Sequence, residues 1–129
     1  MTTTPTSTTN VAASAPTTPT IIYSNTAQFP LGQILATTGA LELLQETGFS
    51  AAALISRHVH GSWGDLSEED RAENEFAVTR RLRILSCYRL VDAERLAAKP
   101  LDKRSALPTL WIITEADRSV TTLLRPDEY

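Results

Sequence analysis

Apolar positions recur at three- and four-residue intervals from Ala51, where Ala51, Leu54, Ile55, His58 and Val59 make a single stripe on a helix. Ser50 stands before the stripe as an N-cap and Gly61 follows it as a stop. An earlier helix is predicted through Ala40, Leu41, Leu43 and Leu44, opened by Thr38 and closed by Gly48, which tolerates the left-handed end of a helix. Before it, Phe29 to Ala36 reads as a short strand or extended segment. A third helix opens at Ser67. Its acids Glu68, Glu69 and Asp70 at the start and Arg80 and Arg81 near the end suit the helix dipole, and Asp70 imitates a capping box. Three strands then follow: Arg83 to Leu90, Leu110 to Glu115 and Val120 to Arg125, the last two forming a hairpin about a polar turn. Residues 91–108, polar and basic with Pro100 and Pro108, read as a long loop or a short helix plus loop. The segment Gly61-Ser62-Trp63-Gly64-Asp65 predicts a tight turn around a large aromatic. The pattern as a whole predicts an α+β fold of two layers, with three helices packed on a small antiparallel sheet of three to four strands.

Composition trims this unit at its front. The first charged side chain is Glu42, and the first twenty of the 129 residues hold nine Thr, two Ser and three Pro. Such a mix buries too little apolar surface to offset ordering entropy. Residues 1–26 are therefore expected to be a disordered arm and 27–129 a single domain. The arm has neither the basic start and apolar run of a secretory signal nor the arginines of an organelle presequence. No stretch approaches a membrane span, and the lone Cys87 can make no internal disulfide, so a buried reduced thiol, a cytoplasmic location and no membrane partner are expected.

The net charge of −3 hides a split. Residues 42–75 hold eight acids and two bases, a net of −6, whereas residues 76–104 hold eight bases and three acids, a net of +5. An acidic chain is a poor starting point for nucleic-acid binding, although Arg80, Arg81, Arg83 and Arg89 could meet an acidic partner locally.

Each candidate for chemistry has a plainer reading. His58 and His60 form a His-x-His pair, but on a helix they face different ways and no third ligand has telling spacing, so no metal is expected. His58 reads first as a hydrogen-bonded core histidine. Trp63 reads as a core plug and Asp65 as an Asx turn on neighbouring amides, with ligand binding as the sharper alternative. Asn74, in mid-helix, is expected to be solvated. Glu115, Asp117, Arg118, Ser119, Thr121 and Thr122 cluster in the hairpin, where the plain reading is a stable turn with a salt bridge. The functional one has Arg118 and Thr121 or Thr122 hold an anion while His58 moves a proton, as in a metal-independent ribonuclease. Phosphate-binding glycine loops and the Gly-x-Ser-x-Gly elbow are missing, Cys87 lacks the partner a nucleophile requires, and no cofactor is expected.

Several of these segments occur together elsewhere. Phe29-Pro30-Leu31-Gly32-Gln33-Ile34-Leu35-Ala36-Thr37, Gly39-Ala40-Leu41, Arg57-His58-Val59 with Gly61, Trp63-Gly64-Asp65, and Trp111-Ile112-Ile113-Thr114-Glu115-Ala116-Asp117-Arg118-Ser119 resemble a family of short bacterial proteins. These plasmid-related proteins are found on plasmids and integrating elements and often carry the label "type I restriction endonuclease subunit M". The resemblance covers residues 29–129 apart from 91–108, and implies a mobile genetic element with a restriction-modification association. It does not imply methyl transfer: about one hundred folded residues are too few for a cofactor-binding sheet domain, and no Asn-Pro-Pro-Tyr or Asp-Pro-Pro-Tyr motif is present. This chain departs from the family pattern in Ser62, where Asp is usual, in Arg125, where an apolar residue is usual, and in a longer 91–108 segment.

The functional expectation is a small non-enzymatic accessory protein that binds a partner protein through Trp63, Asp65, Glu115, Asp117 and Arg118. The alternative is a small ribonuclease or toxin-like enzyme using His58, Arg118 and Thr121. A third is DNA binding in defence or anti-defence through Arg80, Arg81 and Arg83.

Overall fold

The computed structural model describes residues 26–129, so the predicted N-terminal arm falls outside the described residues except for Thr26. The elements run β1 (Gln33–Ala36), α1 (Thr38–Thr47), α2 (Ala51–Val59), α3 (Glu68–Arg80), β2 (Ile84–Arg89), α4 (Ala93–Ala98), a 3-10 turn (Leu101–Ala106), β3 (Thr109–Thr114), β4 (Val120–Leu124) and a second 3-10 turn (Pro126–Glu128). This is the α+β class that the hydrophobic pattern predicts.

Side-chain hydroxyls set the helix starts. Ser50 Oγ accepts from Ala53 N and Ser67 Oγ from Asp70 N, each satisfying an amide with no partner in the helix. In α1 the cap is Thr37 rather than Thr38: Thr37 Oγ1 accepts from Ala40 N, and Thr38 is already helical. Gly48 ends α1 in the left-handed conformation, φ 77°, and returns its N–H to Leu44 O. Residues 91–108 resolve into α4 and the first 3-10 turn, joined at Pro100.

The sheet order is β1-β4-β3-β2. β2, β3 and β4 are antiparallel neighbours, but β1 lies parallel to β4, with Gln33 opposite Val120 and Ala36 opposite Leu123. The sheet is therefore mixed rather than wholly antiparallel. A two-residue turn imposes antiparallel direction on a hairpin. No such turn links β1 to β4, so nothing local fixes their relative direction. The register separates two faces. Ile84, Ser86, Tyr88, Leu110, Ile112, Thr114, Thr121 and Leu123 point to the helices, and their apolar members join Leu43, Leu44, Leu54, Ile55 and Val59 in one core. Leu85, Cys87, Trp111, Ile113, Thr122 and Leu124 point the other way, where the C-terminal Tyr129 ring meets Trp111 edge-on at 5.8 Å.

β2 is an edge strand, and its outer side is occupied by two devices. Residues 63–65 run beside it, with Cys87 N donating to Trp63 O at 3.0 Å and Asp65 N to Cys87 O at 2.7 Å. Gly64, φ 83°, permits this approach, because a Cβ there would collide with Cys87 O. Further along, the buried Asn74 side chain donates to Leu85 O at 2.8 Å and accepts from Leu85 N at 3.2 Å, as a neighbouring strand would. Asn74 is thus not solvated: it closes the sheet edge that would otherwise invite a stray strand.

Candidate functional site

The hairpin and the α2 stripe do meet. His58 sends Nδ1 to Ser86 Oγ at 2.6 Å and Nε2 to Thr114 Oγ1 at 2.9 Å. Thr114 Oγ1 lies 2.7 Å from Thr121 Oγ1, and Thr121 donates to Leu31 O at 2.7 Å. Each hydroxyl has one proton, so the chain has a direction. Thr121 spends its proton on Leu31, Thr114 therefore donates to Thr121, and His58 Nε2–H donates to Thr114. Nδ1 then accepts from Ser86, and the imidazole is neutral. Burial first, and the charge of Arg118 second, lower its pKa from 6.5 to about 3.

This convergence lies inside the core. His58, Ser86, Thr114 and Thr121 are all 0 % exposed, and Phe29 packs edge-on against His58 at 5.2 Å. Arg118 is also buried: it donates to Leu82 O at 2.7 Å, Ala77 O at 2.9 Å and Glu115 O at 3.1 Å, capping the end of α3. Its guanidinium lies 5.6 Å from the Phe29 ring, on the ring that His58 also touches. No substrate reaches these groups, which corrects His58, Arg118 and Thr121 as catalytic candidates. Thr122 points to the opposite face of the sheet.

Arg118 also makes no turn salt bridge. Asp117 instead accepts from Ser119 N at 3.0 Å and Ser119 Oγ at 2.6 Å, which holds its carboxyl below the ordinary value, and Glu115 pairs with Arg83 at 3.1 Å. Arg83 further donates to the Tyr129 hydroxyl. Of the other two arginines proposed for nucleic acid, Arg80 stacks on Phe76 at 4.9 Å and Arg81 ends α3 with φ 56°. All three are exposed, and Arg83 is engaged by an acid. His60 Nδ1 bonds Ser56 O at 2.6 Å, away from the His58 network, and no cluster of three potential metal ligands exists among the described residues. Cys87 is a free buried thiol whose pKa burial raises, a poor nucleophile.

Open chemistry lies instead around Asp65. The predicted Asx turn is absent: the Asp65 carboxylate accepts from Arg89 Nε at 2.9 Å and from Arg104 Nη1 at 3.0 Å. Burial pushes this carboxyl up, but the two guanidinium hydrogen bonds and their charges outweigh that and hold it below its ordinary value. Arg89 also reaches Thr109 Oγ1 at 2.7 Å, and Arg104 Nε reaches Lys99 O at 3.3 Å. Two exposed arginines complete the ring. Arg71, from α3, donates to Gly64 O at 2.6 Å, and Arg57, from α2, lies 4.7 Å above the Tyr88 ring with Nε toward Ser62 Oγ at 3.4 Å. Neither has a carboxylate partner among the described residues.

These groups surround a cleft of about 550 Å³ with an apolar wall of Phe49, Leu54, Tyr88, Val91 and Leu96. Among the described residues, Asp65 is the only carboxylate lining it beside Arg57, Arg71, Arg89 and Arg104. A larger concavity of about 680 Å³ follows α3, with an apolar wall of Phe76, Ala77, Leu82 and Leu85 and with Asp70, Glu73, Asn74 and Arg83 also lining it. Its cation Arg83 is already paired with Glu115 and its Asn74 side chain is spent on Leu85, so the smaller cleft with four arginines is the better site. Of the sequence candidates for binding, Asp65 lies in this cleft, Trp63 is buried at 3 % exposure, and Glu115 and Asp117 belong to the distant hairpin. Arg57, Arg71 and Arg104 went unmarked in the sequence because four separate elements supply the ring. The only signal was the excess of bases over residues 76–104, which holds Arg89 and Arg104.

Set against known protein families, curated proteins and solved structures, the chain matches none.

Proposed function

We propose that this protein is a small non-enzymatic binding module that takes an acidic segment of a partner protein into the Arg57–Arg71–Arg89–Arg104 cleft. One observation carries the reading: four guanidinium groups converge on an open cleft with a single carboxylate, while the acid–base group of the enzymatic alternative is sealed in the core. Arginine is suited to the task because its planar fork binds carboxylates in two-point fashion and stays charged when partly buried.

A protein partner fits better than a nucleic acid. The chain is acidic as a whole, with a net charge of −3, so a long polyanion is repelled outside the cleft. Of the two aromatic rings that line the cleft among the described residues, Tyr88 is 2 % exposed beneath Arg57 and offers no open face for a base to stack on, and Phe49 is partly buried against the core. The resemblance over residues 29–129 apart from 91–108 makes a component of a mobile element's restriction-modification or defence machinery the first partner to test.

The test is titration of a Glu/Asp-rich peptide into the full chain, alongside single-stranded RNA and duplex DNA. Peptide binding that disappears in an Arg57→Glu, Arg71→Glu double variant is the expected result. Degradation of RNA, or tighter binding of nucleic acid than of peptide, would contradict the reading.

A further inference from the structure

We infer that the anion seated in this cleft is a phosphate monoester on a side chain of the partner, rather than a plain carboxylate; this deepens the partner-binding reading and rests on it. The charge count is the first argument. Four guanidinium groups against Asp65 leave a surplus of three positive charges at the cleft. A single carboxylate would leave most of that surplus in place, whereas a phosphate monoester brings about −1.5 to −2 near neutral pH.

The free donors are the second argument. Arg89 spends Nε on Asp65 and Nη1 on Thr109, and Arg104 spends Nη1 on Asp65 and Nε on Lys99 O. Nη2 of each has no partner among the described residues. Arg71 uses Nη2 alone, on Gly64 O, and Arg57 uses Nε alone, on Ser62 Oγ. Unspent N–H groups therefore remain on all four arginines, a number that suits three terminal phosphate oxygens better than two carboxylate oxygens.

Pre-organisation is the third. Asp65 fixes two of the guanidinium groups, the Tyr88 ring lies under Arg57, and the Gly64 carbonyl anchors Arg71. Arginines already held in place lose less conformational entropy when the anion arrives. Asp65 on this account organises the ring and leaves the ligand to the other donors. The apolar wall of Phe49, Leu54, Val91 and Leu96 would take the residues flanking the phosphorylated one.

The test uses the full chain and one acidic peptide in three forms, with Ser, phosphoserine or Glu at its centre, titrated calorimetrically. Inorganic phosphate serves as competitor. The phosphoserine form should bind about tenfold or more tightly than the Glu form, as expected for added charge-assisted hydrogen bonds. Arg57→Gln and Arg71→Gln should each erase most of that preference without shifting thermal unfolding, whereas Arg80→Gln, outside the cleft, should leave it intact. Equal affinity for the phosphoserine and Glu forms would overturn the phosphate assignment and leave the acidic-segment reading standing. Failure of all three peptides to bind would sink both. Displacement of the phosphopeptide by inorganic phosphate at matching concentration would make the ligand a free phosphate and overturn its attachment to a partner.

Discussion

His58 is where the sequence and the structure agree most closely at the level of a single residue. Its place on an apolar stripe already argued for a satisfied core histidine, and the stripe is what buries it. Because the folded chain holds its pKa near 3 against an ordinary 6.5, the unfolded chain binds a proton that the folded one refuses in that window. The associated stability is fully present above pH 6.5 and is lost as the pH falls toward 3, by at most roughly 1.4 kcal/mol per pH unit. Urea unfolding just below the ordinary histidine pKa, where carboxylates are still ionised, should report this slope. A His58→Gln chain should lack it, and identical slopes in the two proteins would refute the assignment. Arg118 was far less legible. Sequence placed it at a turn beside an acid, but its partners are three carbonyls, two of them at Ala77 and Leu82. Backbone acceptors leave no mark on the sequence. Arg118→Ala removes three charge-assisted bonds, although Ala77 O and Glu115 O keep backbone donors, and should cost about 1–3 kcal/mol in chemical denaturation, whereas an exposed arginine such as Arg95 should cost almost nothing on the same substitution.

At the scale of elements, helices and hairpin were readable because their signals are local. Ser50, Ser67 and Gly48 sit where capping chemistry requires them, and β3 and β4 alternate about a short turn. The direction of β1 and the closing of β2 were not readable, since both depend on residues far apart in the chain. Asn74 lies on α3 yet serves β2, with a pair of bonds to the Leu85 peptide groups. Asn74→Ala should therefore do two things together. It should lower stability by about 1–3 kcal/mol and leave an edge that self-associates, visible as a larger species by light scattering. Loss of stability with no change in association would show that the edge is guarded by residues 63–65 alone. Gly64→Ala should be worse for folding than a change at an open turn glycine, because its new methyl group meets Cys87 O in a left-handed backbone.

For the molecule as a whole, the charge split along the chain proves to be only partly a matter of helix dipoles. The acids of the first turn of α3 do face solvent at a helix start, as the pattern suggested, but two of the bases from residues 76–104 fold back to meet Asp65. Arg57 and Arg71 come to the same cleft from the acid-rich half, so a running count of charge places them with the wrong neighbours. No helix of the described residues is long and apolar enough to cross a membrane, and the open cleft faces solvent between α2, α3 and the 91–104 segment. The most direct test of the account is the affinity of the full chain for an acidic peptide, measured at low and high salt for the native protein and for the Arg57→Glu, Arg71→Glu variant. Binding by the native chain that weakens with salt, together with its loss in a variant that unfolds at the same temperature, is the predicted result. Unchanged binding in the variant would mean that the arginine cleft is not the site.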